Sequence, residues 1–405
     1  MDGQLHPEAH TTASTLHVLM IALNDAILTG AGGGDVRERH LDYAARVAHL
    51  HMIVYSPHGR ALHPTSLSER LTVYPTRSLS PLTFVWDAYR IGAAICRTHP
   101  INVITTQDPF ATGLVGVWLK RRFRIPLDVQ NHSDFFDNRV WIAERPLRYG
   151  LFNRLGKWVI RCADTHRVLN AEEKAKYVRL GIDPDRVAIL PTPTRLSRFS
   201  PDGPPGEGAA LRARLGIPPH APIVLWVGRP VGFKRVPLLV EAFALVHREH
   251  PAARLLLVGD FSQRTDIHRQ VAQLGLQDAV HFAGRVNHVD LPAYYRLCTV
   301  YVHSSIYEGL GKVMIEAAAS GKPVVATRTA GAVEIVVDGE TGLLCNVEDA
   351  ADMAAQIGAL LSDPARAQAM GHAARIHVLR KFDHARALDA VIETWRRCAA
   401  LGGRS

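Results

Sequence analysis

The chain has 405 residues, which is enough for two domains that each bury a hydrophobic core. Its composition, 47% hydrophobic and 21% charged, excludes a largely disordered protein. The formal net charge is +9, but there is no zinc-finger spacing and no basic run interleaved with aromatic residues, so we do not expect nucleic-acid binding.

Cysteine usage and the first residues indicate the compartment. The cysteines are odd in number, widely spaced and without a CxxC pair, which is typical of a reducing environment. Residues 1–10 contain no Lys or Arg, and no apolar stretch of about 18 residues occurs, so neither a signal peptide nor a spanning helix is predicted. We therefore expect a cytoplasmic chain with a mobile tail over residues 1–15.

Strands and helices alternate along the N-terminal half. A first apolar strand leads through a glycine loop around Gly32, Gly33 and Gly34 into a charged helical pattern. The predicted strands cover 17–23, 51–55 and 101–106, and the predicted helices cover 82–97 and 110–124. This alternation predicts a parallel sheet wrapped by helices, a Rossmann-like domain over residues 16–200.

The same pattern restarts after a break. Six of the eight residues in 201–208 are Pro or Gly, which predicts a linker. A second Rossmann-like domain is expected over 209–383, and a helix over 384–402 is expected to pack back on the first domain. The predicted strands of the second domain cover 223–227, 254–258, 280–282, 300–302 and 323–326. The fold class is thus α/β, with two parallel sheets facing across a cleft and ligands at the strand carboxyl ends.

Basic residues cluster in the N-terminal half. Residues 139–179 contain ten Lys or Arg against four Asp or Glu, and 120–124 read KRRFR just upstream. Two interpretations remain open, a solvated helix face and a patch that meets an anionic membrane or acceptor. The second would place the protein at the inner face of a membrane.

Two glutamates, Glu308 and Glu316, flank a glycine turn between a predicted strand and a predicted helix over 313–320. Free backbone N–H groups at such a helix start favour a phosphate against residues 309–312. If all residues between them were helical, the two alpha carbons would lie roughly 12 Å apart. A glycosidase acid and base need carboxyls about 5 to 9.5 Å apart. The pair suits a nucleotide sugar better, with a solvated helix face as the alternative.

A second motif follows the first strand of the C-terminal half. The loop 228–235, GRPVGFKR, places Arg229 and Lys234 on a turn at a strand end. The two cations would clamp a diphosphate and stabilise it as a leaving group, unless they are ordinary surface cations.

These motifs together resemble the retaining glycosyltransferases of family 4. In the C-terminal half the resemblance rests on Gly228-Arg229 with Lys234, and on 282–286 (FAGRV), 305–316 (SIYEGLGKVMIE), 321–326 (GKPVVA), 334–336 (EIV) and 341–344 (TGLL). In the N-terminal half it rests on 107–113 (QDPFATG) and 129–136 (VQNHSDFF). The likeness covers nearly the whole chain and implies the GT-B architecture, with a donor-binding C-terminal domain and an acceptor-binding N-terminal domain.

The resemblance also implies roles for individual residues. Arg229 and Lys234 would hold the diphosphate, Glu316 the ribose and Glu308 the sugar. The implied catalytic residues are Arg229, Lys234, Glu308 and His132. The implied donor-binding residues are Glu316, Gly309, Leu310, Gly311, Lys312, Gly284, Val286, Gly33 and Gly34.

Several of these residues have a structural alternative. His132 follows a predicted strand end and either contacts the transferred sugar or is an ordinary histidine. Asp108 and Asp134 either lie on the acceptor side or cap a helix or turn. Lys312 either adds a cation to the phosphate turn or is an exposed lysine. Pro191-Thr192 stands where relatives commonly have Asn-Gly, a departure near the linker that concerns the acceptor and not donor binding.

The expected activity is transfer of a sugar from a nucleoside diphosphate to a hydroxyl acceptor with retention of configuration. No DxD run and no His/Cys cluster with ligand spacing occurs, so neither a metal nor another cofactor is expected. A nucleotide-sugar epimerase of the same fold and a non-catalytic nucleotide-sugar binding protein are the alternatives.

Overall fold

The computed structural model describes residues 15–30 and 35–402. The predicted tail therefore lies outside the described residues, apart from residue 15, and so do Gly33 and Gly34. Within the described residues, no helix is long and apolar enough to cross a bilayer.

The N-terminal domain is built on an eight-stranded sheet, as far as the described residues go. Its strands are β1 (His17–Ala22), β2 (His49–Val54), β3 (Thr65–Ser68), β4 (Leu71–Pro75), β5 (Val103–Thr106), β6 (Leu127–Gln130), β7 (Thr165–Val168) and β8 (Val187–Ile189). The order is β3-β4-β2-β1-β5-β6-β7-β8, and every pair is parallel except β3 with β4. Its helices are α1 (Ala26–Thr29), α2 (Val36–Ala44), α3 (Phe84–Thr98), α4 (Ala111–Phe123), α5 (Arg139–Glu144), α6 (Pro146–Cys162) and α7 (Ala171–Arg179).

The C-terminal domain is built on a six-stranded parallel sheet within the same described part of the chain. Its strands are β9 (Ile223–Val227), β10 (Arg254–Val258), β11 (Val280–Gly284), β12 (Val300–His303), β13 (Val324–Thr327) and β14 (Gly342–Cys345), in the order β11-β10-β9-β12-β13-β14. Its helices are α8 (Glu207–Leu215), α9 (Val236–Glu249), α10 (Thr265–Gln273), α11 (Leu291–Leu297), α12 (Lys312–Ala319), α13 (Ala330–Ile335), α14 (Ala350–Ser362) and α15 (Pro364–Lys381), and the chain continues into α16 (His384–Gly402). The predicted fold class, two parallel α/β domains, is confirmed.

Helices bury both faces of each sheet. On one face of the N-terminal sheet, α16 contributes Leu388, Ile392 and Trp395 to a core shared with β1 and β2, and all three side chains are buried. The last helix of the chain thus packs on the first domain. Burial on both faces explains why the parallel strands read as short continuous apolar runs.

The passage between the domains begins before the Pro/Gly segment. Leu196 and Phe199 precede residue 201, yet both side chains pack in the core of the C-terminal domain. The Pro/Gly segment itself leads into α8, and Glu207 at the start of α8 pairs with Arg296 at 2.5 Å. This segment is therefore anchored to the C-terminal domain.

Candidate active site

A cavity of about 590 Å³ lies at the carboxyl ends of β9, β10 and β11. Arg229 and Lys234 line it from the loop after β9, and Arg285, Val286 and His288 line it from the segment after β11. Gly30 reaches it from the N-terminal domain, so the cavity faces the cleft between the sheets. Ligands of parallel α/β domains bind at this edge because the helix N-termini and polar loops converge there.

Lys234 and Glu308 form an ion pair beside this cavity. Both side chains are mostly buried, with 14% and 15% exposed, and His303 Nε2 lies 3.0 Å from the same Glu308 oxygen. Burial would raise the pKa of Glu308, but Lys234 and the contact with His303 outweigh it and lower that pKa to about 2. Glu308 is therefore an anion at neutral pH, suited to accepting hydrogen bonds from hydroxyl groups and unsuited to acting as a general acid.

Glu316 lies on the buried face of α12, with 2% of the residue exposed. Its Oε1 lies 2.9 Å from His288 Nε2, and its Oε2 accepts a hydrogen bond from the Tyr295 hydroxyl at 3.0 Å. A carboxylate has about four acceptor positions, so two remain for further hydroxyl groups. His288 and Tyr295 orient the carboxylate, and the sequence did not single out either residue.

The glycine turn before α12 packs directly against the N-terminal domain. A Cβ on Gly309 would lie 2.6 Å from the His132 carbonyl oxygen, a distance that real Cβ atoms do not reach. The Asn170 side chain caps α7 and donates to the Gly309 carbonyl oxygen at 2.8 Å. Gly311 has a φ of 79°, which favours glycine, and Leu310 between them is buried. The turn is therefore a fixed contact between the two domains.

The Lys312 side chain is neither an exposed lysine nor an unpaired cation at the glycine turn before α12. Its Nζ donates to Asp35 Oδ1 of the N-terminal domain at 2.7 Å. Burial lowers the pKa of Lys312, and Asp35 opposes that shift. Burial would raise the pKa of Asp35, but Arg39 and Lys312 lower it to about 2, so the pair is ionic.

The remaining predicted donor-side residues are placed as follows. Arg229 lines the cavity and takes part in no ion pair within residues 15–30 and 35–402. Gly284 ends β11 with a φ of 71°, and Val286 lines the cavity two residues later. The structure thus brings Arg229, Lys234 and Val286 to one cavity, with Gly284 next to it.

His132 follows the carboxyl end of β6. Its backbone touches the Gly309 turn, whereas its side chain lines a smaller cavity together with Arg39 and Arg167. Burial lowers the pKa of His132 to about 3, with a further contribution from Arg167, and Nε2 is buried without a hydrogen-bond partner in the part of the chain that the structure describes. The imidazole is therefore neutral and has an unused polar atom at the cleft.

Asp108 and Asp134 make local contacts. Asp108 accepts from the Phe110 amide at 2.7 Å and from the Thr112 hydroxyl at 2.7 Å, so it caps the start of α4. Asp134 is paired with Lys176 of α7 and accepts from the Asn138 side chain at 3.3 Å. The structure favours the capping alternative for Asp108 and gives Asp134 a structural ion pair.

Three further residues of the site, Asp35, Arg167 and His303, were not predicted from the sequence, and only one of them carried a local signal. His303 directly follows the predicted strand 300–302 and ends the observed strand β12, so a polar residue at that strand end was visible. Asp35 and Arg167 acquire their partners from distant segments. No group of three or more His, Cys, Asp or Glu side chains in the described residues is arranged to hold a metal ion.

Two Rossmann-like domains with strand ends meeting at a cleft, and the glycine turn and cations at that cleft, define the GT-B class of glycosyltransferases. Sucrose-phosphate synthase from Thermosynechococcus elongatus has the same fold with a TM-score of 0.81 and 26% identity, over 95% of this chain and 100% of that one. HepE from Anabaena, solved in complex with UDP-glucose, has a TM-score of 0.73 and 20% identity over 94% and 99% of the two chains.

Sequence comparison gives the family. Residues 209–377 match the model for glycosyl transferases group 1, and residues 30–193 match that for the glycosyl transferase 4-like domain. A D-inositol 3-phosphate glycosyltransferase 2 from Catenulispora acidiphila is 34% identical over 79% of this chain and 78% of its own length. The chain belongs to the family 4 glycosyltransferases.

A D-inositol 3-phosphate glycosyltransferase from Nocardia farcinica is 36% identical to this chain over 70% of the chain's residues. That match spans only 64% of the relative's own length. The predicted family and the GT-B fold are confirmed by these comparisons.

Proposed function

We propose that the protein is a retaining glycosyltransferase that moves a sugar from a nucleoside diphosphate sugar to a hydroxyl acceptor. The observation that carries the proposal is the buried contact between Lys234 and Glu308 beside the cavity that Arg229 lines. A diphosphate against Lys234 and Arg229 would leave Glu308 in position to accept hydrogen bonds from the attached sugar. The inositol 3-phosphate relatives support hydroxyl transfer chemistry in this family.

In the proposed reaction the bond between the anomeric carbon and the diphosphate oxygen breaks, and a bond from the acceptor oxygen forms on the same face. The acceptor proton passes to the leaving diphosphate. Lys234 and Arg229 would stabilise the growing negative charge, and each 1.4 kcal/mol that they supply is about tenfold in rate. Because side-chain cations supply this charge, we propose that the transfer needs no metal ion, and EDTA should leave turnover unchanged.

A thermal-shift screen over UDP-, GDP-, ADP- and TDP-sugars tests donor binding, since a ligand that binds only the folded state raises its apparent stability. Product analysis then tests chemistry, with a panel of polyols that includes inositol 3-phosphate. Release of the nucleoside diphosphate together with a new glycoside supports the proposal. A changed sugar still attached to its nucleotide would identify an epimerase, and binding without any product would identify a binding protein.

We further propose that the N-terminal domain contacts an anionic membrane through α6. Leu147, Leu151 and Trp158 lie on one helix face and are 93%, 64% and 37% exposed. The guanidinium of Arg121 on α4 lies 5.2 Å from the Trp158 ring, and exposed arginines alternate with the apolar residues along α6. Exposed apolar side chains beside basic ones are typical of surfaces that bind the lipid headgroup region.

Co-sedimentation with liposomes tests this contact. We expect binding to vesicles that contain anionic lipid, weaker binding to neutral vesicles, and loss of binding in a Leu147→Glu and Leu151→Glu double variant. Ile376→Glu is the control, because Ile376 is 54% exposed on α15 of the other domain. Equal sedimentation with both vesicle types would argue for a solvated helix face instead.

A further inference from the structure

A second cavity, of about 120 Å³, lies at the carboxyl ends of β6 and β7 in the N-terminal domain. Arg39, Arg167, Gln130, Thr192 and His132 are among its lining residues. Its volume is about a fifth of the donor-side cavity, so it has room for a substituent of a substrate but not for a nucleotide sugar. It lies beside Nε2 of His132, which is buried and has no hydrogen-bond partner among the described residues.

Arg167 is a buried cation with neutral partners. Only 2% of the residue is exposed, and its guanidinium donates to Gln130 Oε1 and to the carbonyl oxygens of Pro191 and Leu190 at 2.8, 2.8 and 3.1 Å. It takes part in no ion pair among the described residues. A buried guanidinium that no carboxylate contacts directly is costly, so its presence here favours a binding role over a purely structural one.

The nearby carboxylates compensate this charge only in part: burial lowers the pKa of Arg167, and Asp128 opposes that shift through space without reversing it. Asp128 accepts from the hydroxyls of Thr105 at 2.8 Å and Thr165 at 2.9 Å and makes no contact with the guanidinium. Asp35 pairs with Arg39 at 2.5 Å and is shared with Lys312 at 2.7 Å. The single carboxylate of Asp35 thus pairs with two cations, Arg39 and Lys312. The side chains around the smaller cavity therefore carry an excess of positive charge.

The segment after β8 reaches the same cavity. Pro191 accepts a hydrogen bond from Arg167, and Thr192 lines the cavity. The buried arginine is therefore held by the same segment that supplies a hydroxyl group to the cavity wall.

We propose that this cavity binds a phosphate monoester carried by the acceptor, held by Arg167 and Arg39, with Thr192 as a further hydrogen-bond donor. A dianion matches two guanidinium groups, and arginine binds phosphate oxygens in bidentate fashion. His132 Nε2 would then face the acceptor, while the donor lies on the other side of the Gly309 turn. This inference rests on the proposed transferase function and specifies the class of its acceptor.

Binding of inorganic phosphate to the full-length chain tests the proposal, in the presence of a saturating nucleoside diphosphate that fills the donor site. We expect phosphate to bind this complex, and Arg39→Gln and Arg167→Gln each to weaken its binding at least tenfold. Arg248→Gln is the matched control, because it removes the same charge from an exposed position on α9. Nucleoside diphosphate affinity should stay unchanged in Arg167→Gln and Arg248→Gln, whereas Arg39→Gln can also alter it because Arg39 shares Asp35 with Lys312.

A second variant distinguishes a loss of phosphate binding from a folding defect at the buried position of Arg167. Arg167→Lys keeps the charge but loses bidentate contact, so we expect phosphate binding between that of the wild type and Arg167→Gln. In transfer assays, inositol 3-phosphate should be preferred over free inositol by the wild type but not by Arg39→Gln. Unchanged phosphate binding in the Arg39 and Arg167 variants, or displacement of the nucleotide by phosphate, would overturn the inference. Failure to bind any nucleoside diphosphate would instead overturn the proposed function.

Discussion

Lys312 at the start of α12 donates a hydrogen bond to Asp35 at 2.7 Å and so ties the C-terminal domain to the N-terminal domain across the cleft. The two residues are 277 positions apart in the sequence. Asp35 places a buried negative charge next to the turn at which a phosphate is expected. If a diphosphate binds at this turn, as proposed, it would compete with Asp35 for the same lysine.

Substitution of Asp35 and Lys312 should change nucleotide affinity in opposite directions. In Asp35→Asn, Lys312 loses its counter-ion and becomes available to phosphate, so we expect the dissociation constant of the nucleoside diphosphate to fall severalfold. In Lys312→Met it should rise by up to about tenfold, equivalent to about 1.4 kcal/mol. Calorimetric titration measures both, and an unchanged affinity in both variants would show that the diphosphate does not approach Lys312.

The contribution of the Lys234–Glu308 pair to stability should be separable from its contribution to activity. Lys234→Met or Glu308→Gln leaves a buried charge without its partner, and such losses cost about 3 to 5 kcal/mol. We expect each single variant to lose most of its stability margin and its turnover. The double variant should recover thermal stability without recovering activity.

Thermal denaturation and a transfer assay on the same preparations distinguish these effects. Near-normal turnover in either single variant would exclude the proposed roles of both residues. A double variant as unstable as the singles would show that other contacts dominate the stability of this region.

Gly309→Ala should impair the contact between the domains. The added Cβ would meet the His132 carbonyl oxygen at 2.6 Å and the Ser133 alpha carbon at 2.9 Å, both of which are backbone atoms that cannot rotate away. We expect turnover to fall at least tenfold, because about 1 Å of misplacement costs this much or more. Gly59→Ala is the control, since its Cβ would meet nothing within 4 Å. Equal kcat values in the two variants would contradict a tight domain contact at Gly309.

His166 should make the protein less stable in acid. It is fully buried, neither ring nitrogen has a hydrogen-bond partner among residues 15–30 and 35–402, and burial lowers its pKa from 6.5 to about 3. Between these values the unfolded chain binds a proton that the folded chain does not. The free energy of unfolding therefore falls as the pH falls through this window, by about 1.4 kcal/mol per pH unit.

His166→Phe removes this proton and should preserve stability near neutral pH, because it also removes two unsatisfied polar atoms. Between about pH 6.5 and pH 5, the free energy of unfolding of the variant should fall by about 2 kcal/mol less than that of the wild type. Urea denaturation at both pH values measures the difference, with exposed His220→Phe as the control. Equal pH dependence in wild type and variant would show that His166 is protonated in the folded state.

Much of the architecture followed from local patterns. Alternating apolar runs and helical periodicity predicted the two parallel α/β domains, and the glycine turn between Glu308 and Glu316 predicted the start of α12. These features depend on residues within a few positions of one another, so the sequence determined them. Strands β3, β4, β7, β8 and β14 were not predicted. In β7, His166 and Arg167 interrupt the apolar pattern and are accommodated only by contacts with other segments.

The electrostatics of the site depended on the tertiary structure. No local pattern shows that Lys312 pairs with Asp35 or that His288 and Tyr295 contact Glu316. Nor does one show that the Asp108 carboxylate accepts hydrogen bonds at the start of α4. The sequence determined which charged residues stand at the strand ends. Only the packing of the two sheets decided which of those charges are paired and which remain open to a ligand, because pairing depends on distances between segments far apart in the chain.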